Sequence, residues 1–199
     1  IEIGYLIRED RKYRVSFEFL SYANRIHLRD PSYPMIKRKM RDLAETSEEL
    51  IQFTTHEEGR LVYLFKETGR NGLVSRSDAR TFRPLHSTAG GKAILSTWSH
   101  SEVEEYIDRH GLDDVTEHTI TDPDVLFDEL EEVRERGYAT NSEETVEGLG
   151  AVSVPIEDQE DGIIGALGIS GPINRVGDGE YVQLLLDAKK ELELNIRLL

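Results

Sequence analysis

The chain has 199 residues, 39 of them acidic and 24 basic, for a formal net charge of −15. It contains no cysteine, which excludes a disulfide, a thiolate metal site and a thiol nucleophile. No stretch has the apolar length of a membrane span or the build of a secretory signal, and the acidic balance makes the segment itself a poor nucleic-acid binder. Only seven lysines occur; an acidic excess with so little lysine fits a salt-rich cytoplasm, and fits an ordinary acidic soluble protein equally well. The first residue is Ile1, from which a longer parent protein is expected.

In chain order, "IEIGYLIREDRKYRVS" predicts a hairpin, because Tyr5, Ile7, Tyr13 and Val15 alternate with polar residues around a charged turn. A lone hairpin is marginal in water, so it must lean on something. Residues 17–29 predict a helix, with Phe17, Leu20, Ala23 and Ile26 about one turn apart, ended by Pro31 and Pro34. Residues 32–46 predict a second, amphipathic helix through Met35, Ile36, Met40 and Leu43. From Glu48 the pattern changes to strands at 50–66, around the turn Glu57-Glu58-Gly59, and at 72–76. "SHSEVEEYIDRHG" predicts a helix capped by Ser99 and stopped by Gly111. "TDPDVLFDELEEVRERG" has a cap at Thr121 or Asp122, Pro123 in the first turn and Gly137 as its stop. Further strands are expected at 138–142, 149–156 and 163–170, the last two joined by a turn at Gln159–Gly162. A long amphipathic helix closes the chain over 178–198. Strands interrupted by helices, with no internal repeat, give an α+β class built on a curved antiparallel sheet.

One segment raises a question of chemistry. "RPLHSTAGGKAIL" places Gly90-Gly91 and Lys92 at a helix start, as in a phosphate loop. A Walker loop needs an earlier glycine where His86 stands and a Ser or Thr where Ala93 stands, so the phosphate-loop reading fails on both counts. Two readings stay open. Adjacent glycines at a helix start can bring unpaired N–H groups to an acid, or they can merely let helix and sheet pack closely, the commoner use.

At these residues the chain resembles the IclR family of transcriptional regulators. "RPLHSTAGGKAIL" is similar to the family's "LPLHATALGKALLA" type segment. "DPDVLFDELEEVRERGYATNSEETVEGLGAVSVPI" resembles its helix, Gly-Tyr motif and following strand, and "GALGISGPINRV" its "ALSVSGP" signature. Order and spacing agree from about residue 4 to the C-terminus. The resemblance implies a GAF-like fold with residues 1–15 as the wing of an N-terminal winged helix-turn-helix, 16–30 as a linker helix and 31–199 as an effector-binding domain. It implies a cytoplasmic DNA-binding regulator, dimeric or tetrameric, that senses a small organic acid and needs no cofactor, metal or membrane. The implied effector site comprises Thr88, Ala89, Gly90, Gly91, Asn141, Ala151, Gly168 and Ser170. Gly91 matches the usual family glycine, whereas Gly90 replaces a larger residue. Asn141 stands where an aspartate is frequent, Ala151 where a cysteine is, and Gly168 at a serine position. These departures imply a roomier, less polar cup.

Rival sites are weaker. None of the six histidines pairs with another His or acid in a metal pattern, and the His100/Glu104 pair is expected to face solvent. His86 is expected to be structural, Trp98 to pack rather than stack on a ligand, and adjacent Glu143 and Glu144 to lie at the surface because neighbouring strand residues point to opposite faces. A hydrolase using Ser87 or Thr88 with His86 lacks a glycine-flanked nucleophile motif. A stand-alone GAF-like sensor would have no use for the N-terminal hairpin. The chain is expected not to be an enzyme.

Overall fold

The computed structural model describes residues 5–28, 30–73, 82–158, 162–176, 179 and 181–199. The predicted hairpin is present as β1 (Leu6–Glu9) and β2 (Lys12–Val15), antiparallel with Leu6 opposite Val15. Both strands are exposed throughout. The hairpin leans on α1 (Glu18–His27) through rings: Tyr5 lies 5.2 Å from Phe19 and 6.0 Å from Tyr22, centroid to centroid.

The helix α2 (Tyr33–Ser47) buries Ile36, Met40, Leu43 and Ala44 on one face and ends where Glu48 turns left-handed at φ 61°. The chain then builds β3 (Leu50–Glu57), β4 (Arg60–Thr68), β5 (Phe82–Pro84), β6 (Ala139–Ser142), β7 (Leu149–Asp158) and β8 (Gly162–Pro172). These form one six-stranded sheet in the order β5-β4-β3-β8-β7-β6, antiparallel at every pairing. It curls into a half-barrel flanked by helices, the expected α+β class. A β-bulge after Phe53, where Thr54 pairs with Tyr63 rather than Leu64, adds local twist.

Because opposed residues in a sheet share a face, the register divides the core in two. Ile51, Ile169 and Val152 form one row, and Phe53, Leu167 and Val154 the next; all six are buried against α2 and α7 (Val182–Ile196). On the opposite face lie Leu50, Ser170, Ala151 and Asn141 in one row and Gln52, Gly168, Ser153 and Ala139 in the next. Across that face run α3 (Ala89–Leu95), α4 (His100–His110) and α5 (Pro123–Arg136), whose apolar residues Ile94, Leu95, Val103, Leu126 and Leu130 make a second core with Leu61 and Ala166.

Three expectations need correction. The strand expected at 72–76 is loop at residues 72 and 73, and the rest lies outside the described residues; among the described residues the edge strand beside β4 is β5, paired with Arg60–Val62, which was not expected. A short helix, α6 (Ile173–Val176), was not expected. The closing helix begins at Val182 rather than 178. Of the turn expected at Gln159–Gly162, residues 159–161 lie outside the described residues.

Candidate functional site

Between α3 and the polar face of the sheet lies a cavity of about 230 Å³. Its floor is the sheet row Leu50, Ser170, Ala151 and Asn141 together with Gln52 and Ser153; Thr88, Ala89 and Gly90 form one side, and Thr145, Val146 and Leu149 another. At the β4–β5 side stand Tyr63, Lys66 and Arg83. Lys66 Nζ sits 4.5 Å from the Tyr63 ring centroid, and the Arg83 guanidinium lies near enough to the Tyr63 hydroxyl to act on its ionisation. Burial raises the Tyr63 pKa, opposed by the Arg83 charge. Lys66 and Arg83 are the charged side chains among the described lining residues, and no carboxylate is among them.

The glycine pair divides its roles. A Cβ on Gly90 would lie 2.6 Å from Thr54 Oγ1, at the cavity wall. A Cβ on Gly91 would lie 2.1 Å from the Leu85 carbonyl oxygen and 2.5 Å from its Cα, so Gly91 faces backbone and serves close packing. Its N–H is not free either, since it donates to Thr88 Oγ1 at 3.0 Å as the N-cap bond of α3. The expectation of two unpaired donors at this helix start is therefore corrected: Thr88 takes one of them.

Of the implied site residues, Thr88, Ala89, Gly90, Asn141, Ala151 and Ser170 come together on the cavity, and Gly91 does not. Gly168 lies beneath it, its missing side chain replaced by Ser153, whose Oγ is 2.1 Å from where a Cβ would stand. Asn141 is buried and its amide is occupied within the protein: Nδ2 donates to the Ser87 carbonyl at 2.6 Å and to Thr145 Oγ1 at 2.8 Å. Its donors brace the wall of the cavity.

Sequence reasoning missed Lys66, Arg83 and the Lys92–Glu144 pair. Glu144, expected at the surface, is 6 % exposed and bonds Lys92, which is 2 % exposed, at 2.8 Å. The irregular segment after β6 breaks the strand alternation on which the surface expectation rested. Desolvation raises the Glu144 pKa, and the Lys92 charge opposes the rise. Lys92 carried a signal: a lysine inside the otherwise apolar and glycine run "AGGKAIL" needs a partner once buried. His86 is fully buried, with Nδ1 3.1 Å from the Tyr106 hydroxyl and Nε2 3.0 Å from the Asp113 carbonyl. It braces the entry to α3 and does not line the cavity. Trp98 packs edge-on against His56 and Tyr106, and His100 and Glu104 are both exposed. Among the described residues no cluster of His, Asp and Glu could hold a metal, and no helix is long and apolar enough to cross a membrane.

Comparison with known proteins places this arrangement. The family described as bacterial transcriptional regulator IclR C-terminal matches residues 21–194. The HTH-type transcriptional regulator KdgR of Escherichia coli K12 is 30 % identical over 195 residues, covering 96 % of this chain and 74 % of that protein. The crystal structure of the Thermotoga maritima IclR superposes with a TM-score of 0.83 at 28 % identity, covering 98 % of this chain and 81 % of the other. An IclR homolog from Microbacterium hydrocarbonoxydans, complexed with 4-hydroxybenzoate, shares the fold with a TM-score of 0.83 at 20 % identity, covering 100 % and 82 % of the two chains. Matched over most of its length and along the sheet and helices that build the cavity, the chain belongs to the IclR family of bacterial transcriptional regulators.

Proposed function

We propose that the cavity between α3 and the sheet binds a small organic acid, and that residues 31–199 are the effector-binding domain of a DNA-binding regulator. One observation carries the reading. In a chain of net charge −15, the cavity presents Lys66 and Arg83 and, among the described lining residues, no carboxylate. Cations gathered where the rest of the molecule is acidic focus the field on an anion. The apolar lining of Leu50, Leu61, Val146 and Ala151 suits a carbon body behind the acid. The cationic side chains replace the glycine helix start as the main anchor: Arg83 offers a forked donor to a carboxylate, whereas Gly91 is committed to its cap. Thr88 and Ser170 then meet the effector's polar edge. The hairpin at residues 1–15 is read as the wing of the DNA-binding domain and 16–30 as its linker, a reading that the helix-turn-helix regulators among the relatives support.

Calorimetric titration tests the site, with 4-hydroxybenzoate as first probe because a homolog of this fold was crystallised with it, and ATP as control. Binding is expected for an organic acid and not for ATP. It should weaken at least tenfold in Arg83→Met, and in Gly90→Leu, whose side chain fills the cavity. Tight ATP binding, or acid binding unchanged by both substitutions, would move the site elsewhere. A mobility shift with the full-length regulator and its own upstream DNA tests the wing assignment: Lys12→Ala and Arg14→Ala should reduce the shift, and no effect of either removes the hairpin from the DNA interface.

A further inference from the structure

Residues 143–148, between β6 and β7, belong to no strand, yet Thr145 and Val146 within them form a wall of the cavity. Apart from Thr145 itself, this segment is fastened by groups that do not line the cavity. The Thr119 hydroxyl donates to the Glu144 carbonyl at 2.7 Å and the Thr116 hydroxyl to the Glu143 carbonyl at 2.8 Å. Thr145 Oγ1 donates to the Ser87 carbonyl at 2.6 Å, just before α3. The Glu144 side chain turns inward, where Oε1 meets Lys92 Nζ at 2.8 Å and accepts from the Ser142 N–H at 3.4 Å.

Lys92 lies in the middle of α3 and also stands 3.4 Å from Glu129 of α5, which in turn bonds Arg136 at 2.8 Å. The charges alternate: Glu144 negative, Lys92 positive, Glu129 negative, Arg136 positive. One chain of ion pairs thus ties the cavity wall to α3 and α5. It is an expensive arrangement. Glu144 Oε2 is buried without a hydrogen-bond partner among the described residues, Glu143 holds a left-handed φ of 62°, and an apolar pair of similar volume commonly stabilises a fold as well as a buried ion pair does. What an apolar pair would not do is fix the direction in which the segment leaves β6.

We propose that Lys92 and Glu144 are positioning residues of the effector cavity. They touch no ligand; they set the wall carried by Thr145 and Val146 and register it against the start of α3. The effect on ligand binding rests on the organic-acid reading, whereas the fastening of the wall does not.

Amide hydrogen exchange over residues 142–149, read beside thermal melts, tests this in the parent, Glu144→Gln and the apolar double variant Lys92→Met/Glu144→Leu. The bonded amides of the segment (Ser142 to Glu144 Oε1, Glu143 to the Leu149 carbonyl, Gly148 to Glu143 Oε1) make the readout local. The double variant should melt within a few degrees of the parent while residues 142–149 exchange at least tenfold faster and β3, β8 and α7 are unchanged. Glu144→Gln, which keeps an acceptor for Lys92 but not the charge, should give a smaller acceleration confined to the same segment, and it decides the matter if the double variant fails to fold. Where the parent binds 4-hydroxybenzoate, the double variant should bind it at least tenfold more weakly. Unchanged exchange at 142–149 would mean that the threonine contacts alone hold the wall, and acceleration spread over the whole sheet would mean a purely stabilising pair; either overturns the proposal. A parent that binds no acid removes the organic-acid reading and leaves the exchange result to decide the positioning role.

Discussion

Gly90 and Gly91 are neighbours with different duties, and their difference measures what single residues disclose before they are folded. The sequence singles out the pair and excludes a phosphate loop, but it cannot say which glycine faces ligand space and which faces Leu85, because that depends on where β5 ends and α3 begins. Six of the eight implied site residues do reach the cavity, since strand alternation places Asn141, Ala151 and Ser170 on one face. Lys66, Arg83 and Glu144 were not legible: each charge is ordinary in sequence and acquires meaning only from long-range pairing. His86 shows the same dependence and carries a pH prediction. Burial pushes its pKa below the usual histidine value, opposed by the Asp113 carbonyl it bonds. A depressed histidine pKa means that the unfolded chain takes up the proton first, so its contribution is present above about pH 6.5 and is lost as pH falls through the folded value. Two effects run the other way on acidification. The net charge of −15 is partly neutralised, and Glu144, whose pKa is raised by desolvation, binds its proton more readily folded than unfolded. The parent melting curve alone therefore mixes signs. The difference between parent and His86→Gln isolates the term: the stability advantage of the parent should shrink as pH falls from about 7.5 to about 5.5. An advantage that is constant over that range would mean His86 titrates alike in both states.

At the scale of elements, helix ends were the most legible features because their chemistry is local. Asp122 Oδ1 accepts from the N–H groups of Asp124 and Val125 at 2.9 and 3.3 Å, Pro123 opens α5, and Gly137 closes it at φ 81° with its N–H on the Val133 carbonyl. The α4 helix carries a capping box between Ser99 and Glu102. The elements that were missed lack such signals. β5 is three residues long and pairs only with the start of β4. α6 is a single turn, whereas α3, which buries all seven of its residues and has no amphipathic stripe, was legible only from its glycine start. The cap of α5 matters beyond its own stability, since Leu126, Leu130 and Val133 pack it into the core beneath α3, and Glu129 reaches Lys92. Asp122→Ala should lower folding stability by about 0.5–2 kcal/mol, with Asp122→Asn close to the parent because an amide oxygen caps nearly as well. Urea unfolding of the two variants checks this, and equal losses in both would show that the carboxylate acts through charge on the helix dipole rather than as a cap.

At the scale of the whole molecule, charge and apolar surface are distributed unevenly. The hairpin and α1 expose Tyr5, Leu6, Tyr13, Val15, Phe17 and Leu20, with Phe17 76 % exposed, whereas the apolar face of α7 is spent on the sheet through Leu185, Ala188, Leu192 and Ile196. We propose that the self-association implied by the family resemblance uses this exposed apolar surface at the N-terminal end. The acidic residues outnumber the basic ones by 39 to 24. An excess of 15 negative charges on a 22.7 kDa chain repels itself most in the compact state. We predict that stability rises with potassium chloride, and the shape of the rise distinguishes its cause. The screening length falls from about 30 Å at 0.01 M to about 10 Å at 0.1 M and about 3 Å at 1 M, so relief of repulsion is largely complete before 1 M. A general strengthening of apolar burial by salt continues to grow into the multimolar range. Thermal melts at fixed protein concentration should therefore show a midpoint that climbs steeply to about 0.5–1 M and then flattens. The same series on a variant with Glu131 and Glu132 replaced by Gln, on the exposed face of α5, should start higher and climb less. A flat or falling midpoint would end the idea that the acidic excess adapts this chain to salt, and a straight rise without a plateau would assign the effect to burial rather than to charge.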